Sequence, residues 1–412
     1  MLLDLTLLLN DPVIIKGLLD GSLKRFGGVI RVTATGRIVH HLIESSSFTS
    51  QLTTLPPSPV LNGITVHKLS QVQQVLSSVL QMTQIAAGAS VLNLGVSIAG
   101  FAYMGYKLNQ IQNSLDNLHN SMETGFNRIE DRLDNLSGQL AYLHLLVQHS
   151  RQEQQRLGTA ISELHRTFLI KEMADLRAEL LDRSRYPESP ARDALKTASR
   201  VRMVFSDQVM QATPELDAQT MLNTDVALQG WAVATATEAH LLLETGQIHD
   251  AQDLLALEVP RFRGIALRWA DALLADEQPQ MATAYRFAAP HFKENISNNR
   301  IERIAYISSV DSCLSNIQIR RRKNDAELEF EMFYNSQRNE KWTYHQIVVA
   351  EYLDALSELL ARLESLQAFA DFCESRGVKS SRKILPGTDA EPGMYVLSAD
   401  QEHLRSRNNY SL

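Results

Sequence analysis

Two cysteines in 412 residues, Cys313 and Cys373, lie far apart and without metal-ligand spacing. They exclude a disulfide scaffold and a zinc site, and they fit a reducing compartment. Aromatics make up 7% of the chain, with 12 prolines and 19 glycines. That scarcity favours helix over sheet for most of the length. No sign of charge dominates: 40 Lys and Arg stand against 47 Asp and Glu, a net of −7. No global field therefore draws the chain to nucleic acid. The apolar N-terminus lacks a basic n-region and is interrupted by Asp4, Asn10, Asp11 and Pro12, so no secretory signal peptide is expected.

Catalytic motifs are missing too. Gly27 and Gly28 start neither a GxGxxG nor a GxxxxGK[ST] loop, His144 and His149 are five apart without an HExxH, and no GxSxG elbow occurs. His40 and His41 are adjacent, so in a strand they face opposite sides and do not share a metal. The expectation is a non-enzymatic protein with no catalytic residues, no cofactor and no metal.

The most informative gap is of charge. Between Lys68 and Lys107 there is no charged residue. This gap sits inside one helical register over 69–168, whose apolar positions alternate three and four apart. The register carries a stutter where the steps Ile129, Leu133, Leu136 open with a four after a four. A straight helix of that length would be roughly 150 Å long at about 1.5 Å per residue. It must pair with another copy or fold back. From 109 onward it reads as a solvated coiled coil with the seam Ile111, Leu115, Leu118, Met122, Ile129, Leu136, Leu140, Leu143 and Val147, continuing through Gln154, Leu157 and Ile161.

Within the gap, segment 85–106 changes the seam's character. The contact positions become small: Ala86, Ser90, Ser97 and Gly100, with Gly95 and Ala99 on a neighbouring face. The bulky residues Ile85, Val91, Leu92, Leu94, Val96, Ile98 and Phe101 point elsewhere. Small residues at a helix contact with large ones outside is a membrane pattern. Tyr103 and Tyr106, followed by Lys107, suit an interfacial belt. The segment is long enough to span roughly 30 Å of hydrocarbon. The alternative is a fully buried helix at the centre of a bundle, also apolar all round.

Around this register the chain divides into a small α+β module over 1–44, a Ser/Thr/Pro-rich linker and lead-in over 45–68, the long helix over 69–186, a helical bundle over 191–376 and a tail over 377–412. In the first module, Asp11 and Pro12 start a short helix that Gly21 stops. Residues 28–32 and 37–42 form a hairpin around Ala34, Thr35 and Gly36. The long helix ends before Tyr186 and Pro187. Residues 231–257 read as two antiparallel helices turning at Thr245, Gly246 and Gln247. Ala239, Leu242, Gly246, Ala251 and Leu255 there resemble a single tetratricopeptide-type helix pair, and one unit alone reads as an ordinary helical hairpin. A separate helix runs over 261–275. A long amphipathic one runs over 344–374, with Val348, Tyr352, Leu356, Leu359, Leu360, Leu363 and Leu366 on its apolar side and Gly377 as its stop. The basic run Arg320, Arg321, Arg322 and Lys323 is a solvated helix end, its field cancelled by Asp325, Glu327, Glu329 and Glu331. Residues 394–397 form a short strand.

The expected fold is mainly α: a long coiled-coil helix with an embedded apolar segment, a helical bundle after it, and a small N-terminal β-hairpin module. The expected function is a membrane-associated, self-associating helical protein of the membrane-inserting, pore-forming type. Its partners would be a lipid bilayer and further copies of itself through the coiled coil, and its soluble portions would lie in the cytoplasm. That plan is similar in architecture, with no shared motif, to helical pore-forming toxins and effectors. The alternative is a cytoplasmic coiled-coil scaffold or adaptor whose apolar block is buried in a bundle.

Overall fold

A computed structural model describes residues 5–44, 151–164, 174–186, 189–274, 298–308, 340–384 and 394–399, with positions 172, 317, 321, 324, 325, 328 and 386. The chain is mostly helical and carries a small antiparallel sheet. The elements in order are β1 (Leu5–Leu7), α1 (Pro12–Asp20), β2 (Leu23–Phe26), β3 (Val29–Val32), β4 (Ile38–Glu44), α2 (Arg151–Leu164), α3 (Ala174–Arg185), α4 (Arg192–Gln211), α5 (Ala218–Thr245), α6 (Ile248–Leu274), α7 (Asn298–Tyr306), α8 (Glu340–Ser375) and β5 (Met394–Ser398).

The sheet starts from local chemistry. The Asp11 carboxylate accepts from the Val13 and Ile14 amides, Pro12 opens α1, and Gly21 closes it at φ 78°. These satisfy donors and carbonyls that a helix leaves open at its ends. Five strands then pair antiparallel in the order β1-β5-β4-β3-β2. A β3–β4 hairpin was expected. The β2–β3 hairpin and the insertion of β5 between β1 and β4 were not. The last strand lies between two strands from the start of the chain, a pairing that no local pattern encodes.

Alternation along the strands gives the sheet two buried faces. Ile30, Leu42 and Val396 pack with Ile14 and Leu18 of α1. The other face meets α8, where His41 lies against Phe369 and Phe372 with ring centroids 5.6 and 5.3 Å away. Cys373 is buried in this layer, and burial pushes its thiol up to about 12. Burial, with the neighbouring His40 charge, pushes His41 down to about 4. A neutral buried base of this kind contributes its full stability above the unfolded-state pKa of about 6.5, and the contribution is lost as pH falls through 4. Between those values the unfolded chain binds a proton that the fold refuses. We expect urea denaturation to show a loss approaching about 3 kcal/mol from pH 7 to pH 4 that His41→Phe removes. An unchanged pH slope in His41→Phe would assign the loss to other groups.

The bundle is built around α5. Of its 28 residues 21 are buried, and α2, α4, α6 and α8 all pack against it. Its polar side chains turn inward on themselves. Thr235 and Thr237 donate to the carbonyls of Trp231 and Val233, and Gln229 donates to Asp225. This satisfies buried groups within the helix. At its end, Gly246 takes φ 85° and reverses the chain into α6, as the helical hairpin requires.

The expected break between residues 257 and 261 does not occur. α6 is one helix with Pro260 inside it. Proline in a helix interior costs about 3 kcal/mol or more through its lost hydrogen bond and ring clash. Here Leu255 and Val259 before it, and Phe262, Ala266 and Trp269 after it, are buried on one core-facing stripe. Glu258 anchors the same turn: its carboxylate accepts from Arg202 at 2.8 Å, Arg261 at 3.0 Å and the Trp231 indole at 2.7 Å. Burial on both sides outweighs the local preference.

The membrane-inserting expectation is corrected by the same structure. Among the described residues no helix is long and apolar enough to cross a membrane. The transmembrane and membrane-associated readings give way to the scaffold or adaptor alternative; the helix at the centre of the described bundle is α5, not segment 85–106. α5 shows why: a helix buried on every side also reads as apolar all round. Segment 85–106 and the coiled-coil seam of 111–147 lie outside the described residues. The seam's continuation is described in α2, where Leu157, Ala160 and Ile161 are buried and the helix packs on α5 of the same chain.

Candidate functional site

A cleft of about 210 Å³ opens where β2, α7 and α8 meet. It is lined by Lys24, Arg25, Phe26 and Gly27 from the sheet, Glu302, Arg303 and Tyr306 from α7, and Ser357, Glu358 and Ala361 from α8.

Its floor is made by a tight turn. Gly27 has φ 54° and is the first of two residues linking β2 to β3, the position where a two-residue hairpin uses glycine. The turn rests on the α8 backbone. The Gly28 amide donates to Ser365 Oγ at 2.9 Å, and that hydroxyl lies 2.7 Å from the Ala361 carbonyl.

The walls come from helix spacing. Glu351, Asp354, Glu358 and Arg362 recur every three or four residues on α8 and form one stripe. Arg300 and Arg303 form the matching stripe on α7. Arg300 donates to Glu351 at 2.6 and 2.7 Å and to Asp354 at 2.7 Å. Arg303 donates to both Asp354 oxygens, at 2.5 and 3.0 Å. Arg25 and Arg362 both donate to Glu358, at 2.9 and 2.7 Å. At the rim, Tyr306 donates to Glu364 at 2.5 Å, and Arg263 bonds both of them. The Tyr306 ring meets Phe26 edge-on with centroids 4.7 Å apart.

Electrostatics sort these groups. Burial alone would raise the Glu358 carboxyl, but Arg25, Arg362 and Arg303 overcome it and hold it at about 2. Burial opposes the charge on Arg303, and the Asp354 carboxylate outweighs that opposition, so its pKa stands above the ordinary value. Tyr306 is pushed up to about 12 by burial and by Glu364. Lys24 behaves differently. It pairs with Glu302 at the mouth of the cleft, yet burial and the neighbouring Arg303 charge still push its ammonium below the ordinary value.

The residues singled out for a membrane segment, for close helix contact and for the coiled-coil seam all fall within 85–147, outside the described residues, so the structure places none of them near this cleft. Among the described residues, no His, Cys, Asp and Glu cluster is placed to hold a metal ion. Sequence reasoning missed Lys24, Arg25 and the α8 charge stripe. Two signals pointed to them: the Gly27-Gly28 pair, and charges at 351, 354, 358 and 362 on the polar side of a helix read as amphipathic. No known protein family, curated protein or solved structure matches the chain.

Proposed function

We propose that the chain is a non-enzymatic helical scaffold or adaptor that self-associates through its coiled-coil seam over 111–147. The observation that supports this most is the docking of α2. Its Leu157 and Ile161 continue the apolar register and are buried with Ala160 in the bundle core. In the sequence Ile111, Leu136 and Leu140 lie on the same heptad register, and a coiled coil with that seam needs a partner helix. A second copy of the chain supplies one in register. The buried charges between sheet and bundle are committed to one another, as in a structural seam, which favours a holding role over a chemical one.

Sedimentation velocity of the full chain over a range of concentrations tests this. We expect a dimer or larger species that Leu136→Asp with Leu140→Asp converts to monomer, while the head keeps its helical circular dichroism and unfolding midpoint. A wild-type chain that stays monomeric at every concentration rules out self-association.

A further inference from the structure

One guanidinium at the sheet has no acid. Arg31 of β3 stands directly opposite Lys24 of β2, so two cations share one face of the hairpin, which destabilises a strand pair. Lys24 pairs with Glu302 of α7. Among the described residues Arg31 makes no ion pair, and its buried Nε has no hydrogen-bond partner. The guanidinium carbon lies 4.1 Å from the centroid of the Phe26 ring. Tyr306 meets that ring edge-on and is itself fixed by Glu364 and Arg263. Stacking on an aromatic face positions a guanidinium and leaves its in-plane donors to other groups. It also carries the Arg31 charge from β3 out over β2.

β2 is an edge of the sheet. Phe26 and Val29 flank its two-residue turn, and the Ser22 carbonyl accepts from the Thr33 amide. Lys24 and Phe26 therefore bond to β3, while the amides and carbonyls of Leu23 and Arg25 point the other way. No hydrogen bond among the described residues fills them. The cleft runs alongside, lined by Lys24, Arg25, Phe26 and Gly27 in succession. An unpaired edge is a template for another strand, and charge selects which. β2 of a second copy brings its own Lys24 and Arg25, and like charges across the new pair repel. A strand bearing carboxylates answers the unpaired guanidinium instead.

We infer that the open edge of β2 binds an extended acidic segment of a partner protein. The segment adds to the sheet as a further antiparallel strand, bonded through its main chain to Leu23 and Arg25. A carboxylate on its α7-facing side accepts from the Arg31 guanidinium, beside Lys24. Main-chain bonds hold any extended chain, and the two cations select an acidic one. The inference extends the adaptor reading by naming a partner. It needs only the head, so it stands apart from self-association through the coiled coil.

The test uses the full chain and a fluorescein-labelled, amidated peptide of alternating glutamate and valine, read by fluorescence anisotropy at constant ionic strength. Saturable binding is expected, and a peptide of alternating lysine and valine should bind weaker by roughly tenfold or more. Arg31→Gln breaks no ion pair and relieves the repulsion with Lys24, so the unfolding midpoint should hold while affinity falls roughly tenfold. Lys24→Gln should weaken binding by a few-fold. In an antiparallel strand whose glutamates face Arg31 and Lys24, the valine amides face Leu23 and Arg25. N-methylating the valines should therefore abolish binding, and N-methylating the glutamates should not. Absence of saturable binding overturns the site, as does equal affinity in wild type and Arg31→Gln, or for the acidic and basic peptides. Equal affinity of the two methylated peptides overturns strand addition. The chain carrying Leu136→Asp and Leu140→Asp should bind as wild type does, and loss of binding there assigns the peptide to the coiled coil and overturns the edge site.

Discussion

Glu358→Gln lowers the stability of the head by about 3–5 kcal/mol, the range for breaking a buried ion pair from one side. The reason is what stays behind. Arg25 and Arg362 both donate to this carboxylate, and their side chains are only 6% and 5% exposed. Removing the negative charge takes from the buried Arg25 guanidinium the carboxylate it donates to, and takes the same acceptor from Arg362. Urea denaturation followed by circular dichroism measures the loss, and the thermal midpoint should fall by roughly 4–6 °C for a protein of this size. Replacing all three, Arg25→Met, Glu358→Leu and Arg362→Met, removes the desolvated charges together and should recover most of the loss. A Glu358→Gln protein within about 1 kcal/mol of wild type would mean that water reaches this seam and screens it.

Gly27→Ala is the second large effect, about 3 kcal/mol or more, from two sources that add. The backbone at Gly27 has φ 54°, a left-handed conformation that costs an L-residue roughly 1–2 kcal/mol. A Cβ there also runs into the Ala361 carbonyl and comes 2.7 Å from Ser365 Oγ. Backbone of a central helix does not yield, so the hairpin must lift off α8. Lifting it breaks the Gly28 to Ser365 hydrogen bond and exposes the Arg25 pair. Gly36→Ala is the internal control. Gly36 has φ 69° but open space around its would-be Cβ, so it should show only the backbone cost, about 1–2 kcal/mol. Equal losses at Gly27 and Gly36, measured by the same denaturation, would remove the packing argument.

Both effects sit on the seam between sheet and bundle, where reading the sequence was weakest. A helix face with charges every three or four residues reads as solvated. On α8 the sequence places Glu351, Asp354, Glu358 and Arg362 opposite the apolar side, and nothing local says that α7 and β2 carry the complementary arginines. The Gly-Gly turn was visible as a glycine pair, but its role required knowing that a helix backbone lies beneath it. The cleft was therefore legible only as scattered charge.

The elements whose causes are short-range were determined by the sequence alone. Asp11, Pro12 and Gly21 cap α1, because a cap needs only its own few residues. Gly246 reverses the chain between α5 and α6, and the period of Val348, Tyr352, Leu356 and Leu363 marks the buried side of α8. The tertiary structure decided the rest. It placed β5 beside β1 and β4, kept α6 whole through Pro260, and put the apolar helix α5 at the centre of a bundle. Each of these balances a local cost or a local ambiguity against contacts from distant parts of the chain. An apolar helix is the same string of residues whether lipid or protein surrounds it. Only the neighbours that fill its faces distinguish the two.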